Sequence, residues 1–149
     1  MSLLDVDLSD AKEPTPLPDK SEALVRIESV TMDINKNGDP YVLPLFSVPE
    51  EGNVPPFTKY LAVPTAELKE SDPPKYQKVQ WAFKAFTDHF GLAVANVDPE
   101  ESWPGATAWC ILGYEEDEEY GDKNYIRRYS KTKGSTGTKF DSKDEDLPF

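Results

Sequence analysis

Apolar and polar residues alternate along the first third of the chain. Val25 and Ile27 alternate with Arg26 and Glu28, and the apolar parity then shifts to Val30, Met32 and Ile34. A period of two marks a strand with one buried face, so residues 23–34 read as one long strand. A parity shift inside a strand is what one extra residue, a β-bulge, produces, and bulges bend strands into barrels. Asn35-Lys36-Asn37-Gly38 follows, and Asn-Gly between alternating segments is the strongest short hairpin signal. Residues 41–48 form the returning strand, in which Pro44 implies an edge position or a second bulge. A third strand covers residues 57–63, after a loop at 49–56.

The period then changes. Tyr76, Val79, Phe83, Phe86 and Phe90 recur at three- and four-residue spacing, which predicts an amphipathic helix over 74–90 with Gly91 as its C-cap. A loop through Trp103-Pro104-Gly105 leads to a fourth strand at 106–114, and an acidic loop closes a hairpin to a fifth at 124–130. Beyond it the chain is rich in Gly, Ser, Thr and Lys, the composition of a flexible linker. Residues 1–20 are acidic and hold Pro14, Pro16 and Pro18, which predicts a mobile arm. The expected organisation is therefore an arm at 1–20, a domain at 21–131, and a linker with an acidic tail at 132–149. Three strands, a helix and two strands is the order of the OB-fold, a mainly β, five-stranded Greek-key barrel with one helix between strands 3 and 4. Another small α+β sheet with one packing helix is the alternative.

Composition narrows the classes. With 149 residues there is room for one domain of about a hundred residues plus flexible ends. Fourteen prolines argue against an all-helical bundle. The single cysteine, Cys110, excludes an internal disulfide and reads as a buried, reduced core residue. The start lacks the basic and apolar regions of a signal peptide, and no stretch is long enough to span a membrane, so a soluble cytoplasmic protein is expected. The net charge of −12 is unevenly spread. Residues 1–22 carry −4, residues 115–122 carry −6 and residues 141–149 carry −3, whereas 123–140 hold six basic residues and no acid. That basic stretch, rather than the net charge, bears on nucleic-acid binding.

The chain ends in Asp144, Glu145, Asp146, Leu147, Pro148 and Phe149. A terminal Phe offers a ring for an apolar slot and a carboxylate for a basic lip, and the acids steer the segment toward a positive surface. This ending resembles the C-terminal tip of bacterial and phage single-stranded-DNA-binding proteins, in which acids precede an Ile/Leu-Pro-Phe terminus. Together with the element order, the chain resembles a phage-type OB-fold member of that group. The resemblance implies a non-enzymatic protein that coats single-stranded DNA in replication, recombination or repair, inside a bacterial host cell. It also implies that the tip recruits a polymerase, primase, helicase or recombinase mediator. The plain alternative for the tail is a solvated acidic run.

Single strands are held by basic grooves along the backbone and aromatic faces under the bases. The best constellation is Tyr125-Ile126-Arg127-Arg128-Tyr129. In a regular strand Tyr125, Arg127 and Tyr129 share one face, a ladder able to stack bases and neutralise phosphate, while Ile126 points to the core. The competing reading makes both tyrosines rim core residues and lets the arginines neutralise the acidic loop. Tyr41, Phe46, Lys59 and Tyr60 on the second and third strands, Lys36 in the first hairpin, and Lys131 and Lys133 after the barrel complete the candidate contacts. Trp81 and Trp103 are assigned to packing. The acidic loop opposes DNA binding unless it points away from the groove, narrows the site or meets a basic partner. That loop also supports a second reading, an OB-like protein that binds or inhibits a basic DNA-processing partner without touching nucleic acid.

Other chemistry is poorly supported. The run from Asp33 to Gly38 begins like a calcium-binding EF-hand loop, but the position that needs a bidentate Glu is Pro44. The Gly134 to Lys139 run lacks the spacing of a phosphate loop. One His and one Cys do not make a zinc site, and no catalytic set stands out, so neither metal nor cofactor is expected.

Overall fold

Strand β1 (Ser21–Ile34) is the spine of the molecule. The computed structural model describes residues 6–11, 13–119 and 121–130; Lys131, Lys133, the linker and the six tip residues lie outside them. The first half of β1 pairs antiparallel with β5 (Thr107–Glu115), from Ser21 opposite Leu112 to Arg26 opposite Thr107. Its second half pairs with β2 (Pro40–Ser47), and the register slips between Ile27 and Ser29, at the parity shift the sequence carries. Glu28 is the extra residue. Val25, Ile27 and Val30 consequently all point inward, and the strand bends enough to serve both halves of the sheet.

The third strand is interrupted. Residues 57–63 form two short pieces, β3 (Phe57–Thr58) and β4 (Leu61–Ala62), both paired with β2. Pro44 accounts for the break. In a strand the N–H and C=O of one residue point the same way, and the Pro44 carbonyl accepts from Lys59 N at 3.4 Å. The missing Pro44 N–H therefore falls on the third-strand side, where it leaves a rung unmade between β3 and β4. Counted as one, the two pieces make five antiparallel strands with β6 (Lys123–Tyr129), in the order β3-β2-β1-β5-β6. They curl into an OB-like half-barrel in which β3 comes against β6.

Three helices lie between the third strand and β5: α1 (Ala66–Ser71), α2 (Pro73–Phe90) and α3 (Pro99–Ser102). The α2 helix starts at Pro73 because the Asp72 side chain caps it, accepting from Lys75 N at 3.3 Å. Gly91 ends it in the left-handed conformation at φ 67°. Phe86 and Phe90 fall one turn apart and seat on Phe46, with ring centroids 6.1 and 5.9 Å away. Phe83 and Phe86 flank the buried Trp103 at 6.0 Å each, and its indole N–H donates to the Ala93 carbonyl at 3.0 Å. Trp103 is thus a packing residue as expected, whereas Trp81, also assigned to packing, is 53% exposed and outside the core. Among the described residues no helix is long and apolar enough to cross a membrane.

The N-terminal segment is less free than its composition suggests. Thr15 N donates to Asn53 O at 2.8 Å, Lys20 N to Leu112 O at 2.8 Å, and Tyr114 N to Asp19 Oδ1 at 3.1 Å. Its anchor is Asn124, a fully buried residue on β6. The Asn124 amide accepts from Leu17 N at 2.9 Å and donates to Leu17 O and Gly113 O at 2.9 and 3.0 Å. Leu17 packs against the core beneath this knot. The body therefore begins near Glu13, and the expectation of a mobile arm through residue 20 does not hold for residues 13–20. Replacing Asn124 by Ala removes the side-chain partner of one buried and two part-buried backbone groups. Asn124→Ala should lower the unfolding free energy by about 3 kcal/mol in urea titration; a loss under about 0.5 kcal/mol would show that the knot is dispensable.

Candidate nucleic-acid interface

The β5–β6 pairing decides which side chains of the Tyr125–Tyr129 run share a face. Gly113 lies opposite Tyr125 and Leu112 opposite Ile126, but Ile111 lies opposite Arg128 and Cys110 opposite Tyr129. Arg127 is the extra residue, so the alternation resets behind it. Asn124 and Ile126 point inward; Tyr125, Arg127 and Arg128 point outward; Tyr129 turns in again. The ladder expected from simple alternation is corrected accordingly, with Arg128 taking the outward place of Tyr129.

Tyr125 has an unusual seat. A methyl group on Gly113 would lie 2.2 Å from the Tyr125 ring, so the ring lies across the glycine with no space between. The tyrosine covers Gly113, which is buried, and stays 37% exposed itself. Glycine inside an otherwise apolar strand marks such a close approach, a signal the sequence held in Gly113 and that the reading passed over. Beside the ring, Arg127 Nη1 lies 3.6 Å from Asp19 Oδ1, both half-exposed. Arg128 is exposed and has no ion pair among the described residues. Asp19 beside Arg127, and Asn124 buried behind the face, are further residues that sequence reasoning missed. Both lie outside the aromatic and basic types it searched for.

Tyr129 belongs to the interior. Its ring stacks on His89 at 4.8 Å and lies 6.5 Å from Phe86, and burial pushes its hydroxyl pKa upward. Burial likewise pushes the neighbouring Cys110 thiol up to about 12. His89 Nε2 is 2.7 Å from the Trp109 carbonyl oxygen, an acceptor only, so that nitrogen carries the proton. Burial holds the His89 pKa below its ordinary value, against the opposing effect of this hydrogen bond.

A second outward patch sits on β2 and the link between β3 and β4. Tyr41 and Tyr60 stack with centroids 4.7 Å apart and planes 26° from parallel. The hydroxyl of Tyr60 accepts from Asn35 Nδ2 at 3.1 Å, which ties the pair to the first hairpin, where Lys36 is exposed. The other two candidates on these strands do not face out. Phe46 is fully buried among Phe57, Phe86 and Phe90 and cannot stack a base. Lys59 is half-buried near Cys110, and desolvation lowers its ammonium pKa.

The acidic loop is ordered by its own groups. Tyr114 donates its hydroxyl to Asp122 Oδ2 at 2.5 Å, which raises the tyrosine pKa, and Gly121 N donates to Asp117 O at 2.8 Å. Glu115, Glu116, Glu118 and Glu119 are exposed. These acids occupy the turn end of the hairpin, with Glu115 opposite Lys123. Five strand residues at about 3.3 Å each place Arg128 roughly 16 Å further on. That is about twice the Debye length of ~8 Å at physiological ionic strength, so the loop bears on Tyr125 much more than on Arg128. A cleft of about 310 Å³ is lined in part by Glu22, Glu50 and Glu51, a poor place for a phosphate chain.

Comparison of the chain with protein-family models and with curated proteins gives no match in either.

Two titrations bound the stability of this region. The folded His89 pKa lies below its unfolded 6.5, so the unfolded chain takes the proton first and stability falls as pH drops below about 6.5. For Cys110 the folded pKa is the higher one, so its contribution is complete below the unfolded 9.0 and fades between 9.0 and about 12. Urea titrations across pH should show both limbs, and His89→Gln should flatten the acid one. An acid limb unchanged in that variant would assign it to the carboxylates instead.

Proposed function

We propose that the protein binds single-stranded DNA without strong sequence preference, in replication, recombination or repair. The observation that carries this reading is the Tyr125 ring lying against Gly113, with Arg127 and Arg128 outward on the same strand. A ring held against a strand is a pre-organised stacking platform, and such stacks contribute about 1–3 kcal/mol per base. Guanidinium groups next to it meet the phosphates and release counterions. A duplex, whose base faces are already stacked on one another, offers nothing to such a platform. The Tyr41–Tyr60 pair and Lys36 extend the same chemistry across the sheet.

In this reading residues 144–149 recruit a polymerase, primase, helicase or recombinase mediator, in line with the resemblance of the tip. The setting is the cytoplasm of a bacterial cell infected by the encoding phage. No catalytic step is involved. A second reading rests on the ordered acidic turn: the carboxylates around Asp122 engage a basic DNA-processing partner and the barrel binds no nucleic acid.

Fluorescence anisotropy separates the two. A labelled single strand should bind in preference to a duplex of equal length, with affinity falling as salt rises. Tyr125→Ala should weaken binding about tenfold, the equivalent of one lost stack. Binding to neither DNA at low salt would leave the second reading standing. The tip is tested separately by removing residues 141–149. Because a carboxylate run mimics a phosphate run, the truncated protein should bind DNA more tightly at low salt and lose its partner. Unchanged affinity in both assays would contradict the assigned role.

A further inference from the structure

A smaller cleft of about 130 Å³ opens between the β1–β2 hairpin, β4 and the α1–α2 pair. Tyr60 forms one wall, Leu68 and Val79 form an apolar one, and Asp39, Thr65 and Lys75 supply the polar groups. At ~30 Å³ per water the space equals about four waters, which suits one planar ring and little more.

The walls are set before anything binds. Tyr60 is fixed from behind by the Tyr41 ring and at its hydroxyl by Asn35 Nδ2. Asn35 is fixed in turn, since its Oδ1 accepts from Asn37 N at 2.9 Å and Asp39 N at 3.0 Å. Little rotamer freedom remains to be lost on binding. Thr65 Oγ1 accepts from Leu68 N at 3.1 Å, which leaves its hydrogen free to donate. The Asp39 carboxylate and Lys75 ammonium have no hydrogen bond or ion pair among the described residues. An aromatic wall, a lone carboxylate acceptor and a lone cation around one ring-sized space fit a nucleobase and its flanking phosphate.

We infer that this cleft takes one base of the bound single strand, of the class that carries an exocyclic amino group. The inference rests on the single-strand reading above and adds a preference at one position to otherwise tolerant binding. The ring lies on Tyr60, its amino group donates to Asp39, and Lys75 meets the adjacent phosphate. Asp39 selects by what it lacks. An ionised carboxylate only accepts, so it pairs with the N4 amino group of cytosine and opposes the O4 oxygen of uracil in the same position.

The test uses the full chain with labelled oligo-dC and oligo-dU of about thirty nucleotides, longer than one OB-fold site. The two polymers differ only at the edge Asp39 reads. The unaltered protein should favour oligo-dC by about tenfold, the effect of one charged hydrogen bond gained and one repulsion avoided. Asp39→Ala should bring the ratio close to one without weakening oligo-dU binding. Lys75→Ala should weaken both, keep the ratio, and reduce the slope of log affinity against log salt by about 0.7. Both positions are exposed, and circular dichroism checks that each variant is folded. Equal, tight binding of the two oligonucleotides by the unaltered protein would overturn the cleft assignment and leave single-strand binding intact. A preference that survives Asp39→Ala would also overturn it, and binding to neither would overturn both readings.

Discussion

Ile27 ties the bend in β1 to the chain that leads into β5. Its N–H donates to Ala106 O at 2.9 Å, and its carbonyl accepts from Gly105 N at 2.7 Å, one residue before the register with β2 slips. This clamp lets a single strand pair with β5 over its first half and β2 over its second. Every other element takes its place from that division. The curl brings β3 against β6 and leaves an opening for Phe86 and Phe90 to fill. Without the bulge at Glu28, Val30 would point outward and the core would lose one of its walls.

Much of this was legible in the residues. The parity shift from Ile27 to Val30 marks the bulge, Asn37-Gly38 marks the hairpin, and Gly91 marks the end of α2. Each is a local signal with a local cause. The failures were of two kinds. Some signals were present and passed over: Asp72-Pro73 and Asp98-Pro99 each start a helix by capping. Pro44, read as an edge position or a second bulge, instead sits opposite the break that splits the third strand. Others depended on the fold. The inward turn of Tyr129 follows from an extra residue at Arg127; the step from Ile126 to Tyr129 shifts the apolar parity, but with Tyr125 on the other parity the strand alone leaves the inward set open. The burial of Phe46 and the half-burial of Lys59 follow from closure of the half-barrel, a property of the assembled sheet.

The set of side chains that face outward differs from the one simple alternation gives. Tyr125 and Arg127 face outward as the sequence suggested, Arg128 replaces Tyr129, and the part played by Gly113 becomes visible only from the ring above it. Charge follows the same hairpin. Acids gather at the turn around Asp122 and the two arginines lie toward the opposite end, so the hairpin keeps its acidic and basic groups apart. Asp19, brought in by the docked N-terminal segment, offsets Arg127 and leaves Arg128 as the more available cation.

The central claim is a location: bases stack on the outward face that Tyr125 and Arg128 share. Backbone amide chemical-shift mapping, with a short oligo-dT titrated into isotopically labelled protein, tests it most directly. The account predicts that the largest shifts fall on β6 and the facing residues of β5, with a second group around Tyr41 and Tyr60. Shifts confined to the acidic turn around Asp122, or no shifts at a protein concentration far above micromolar, would contradict it.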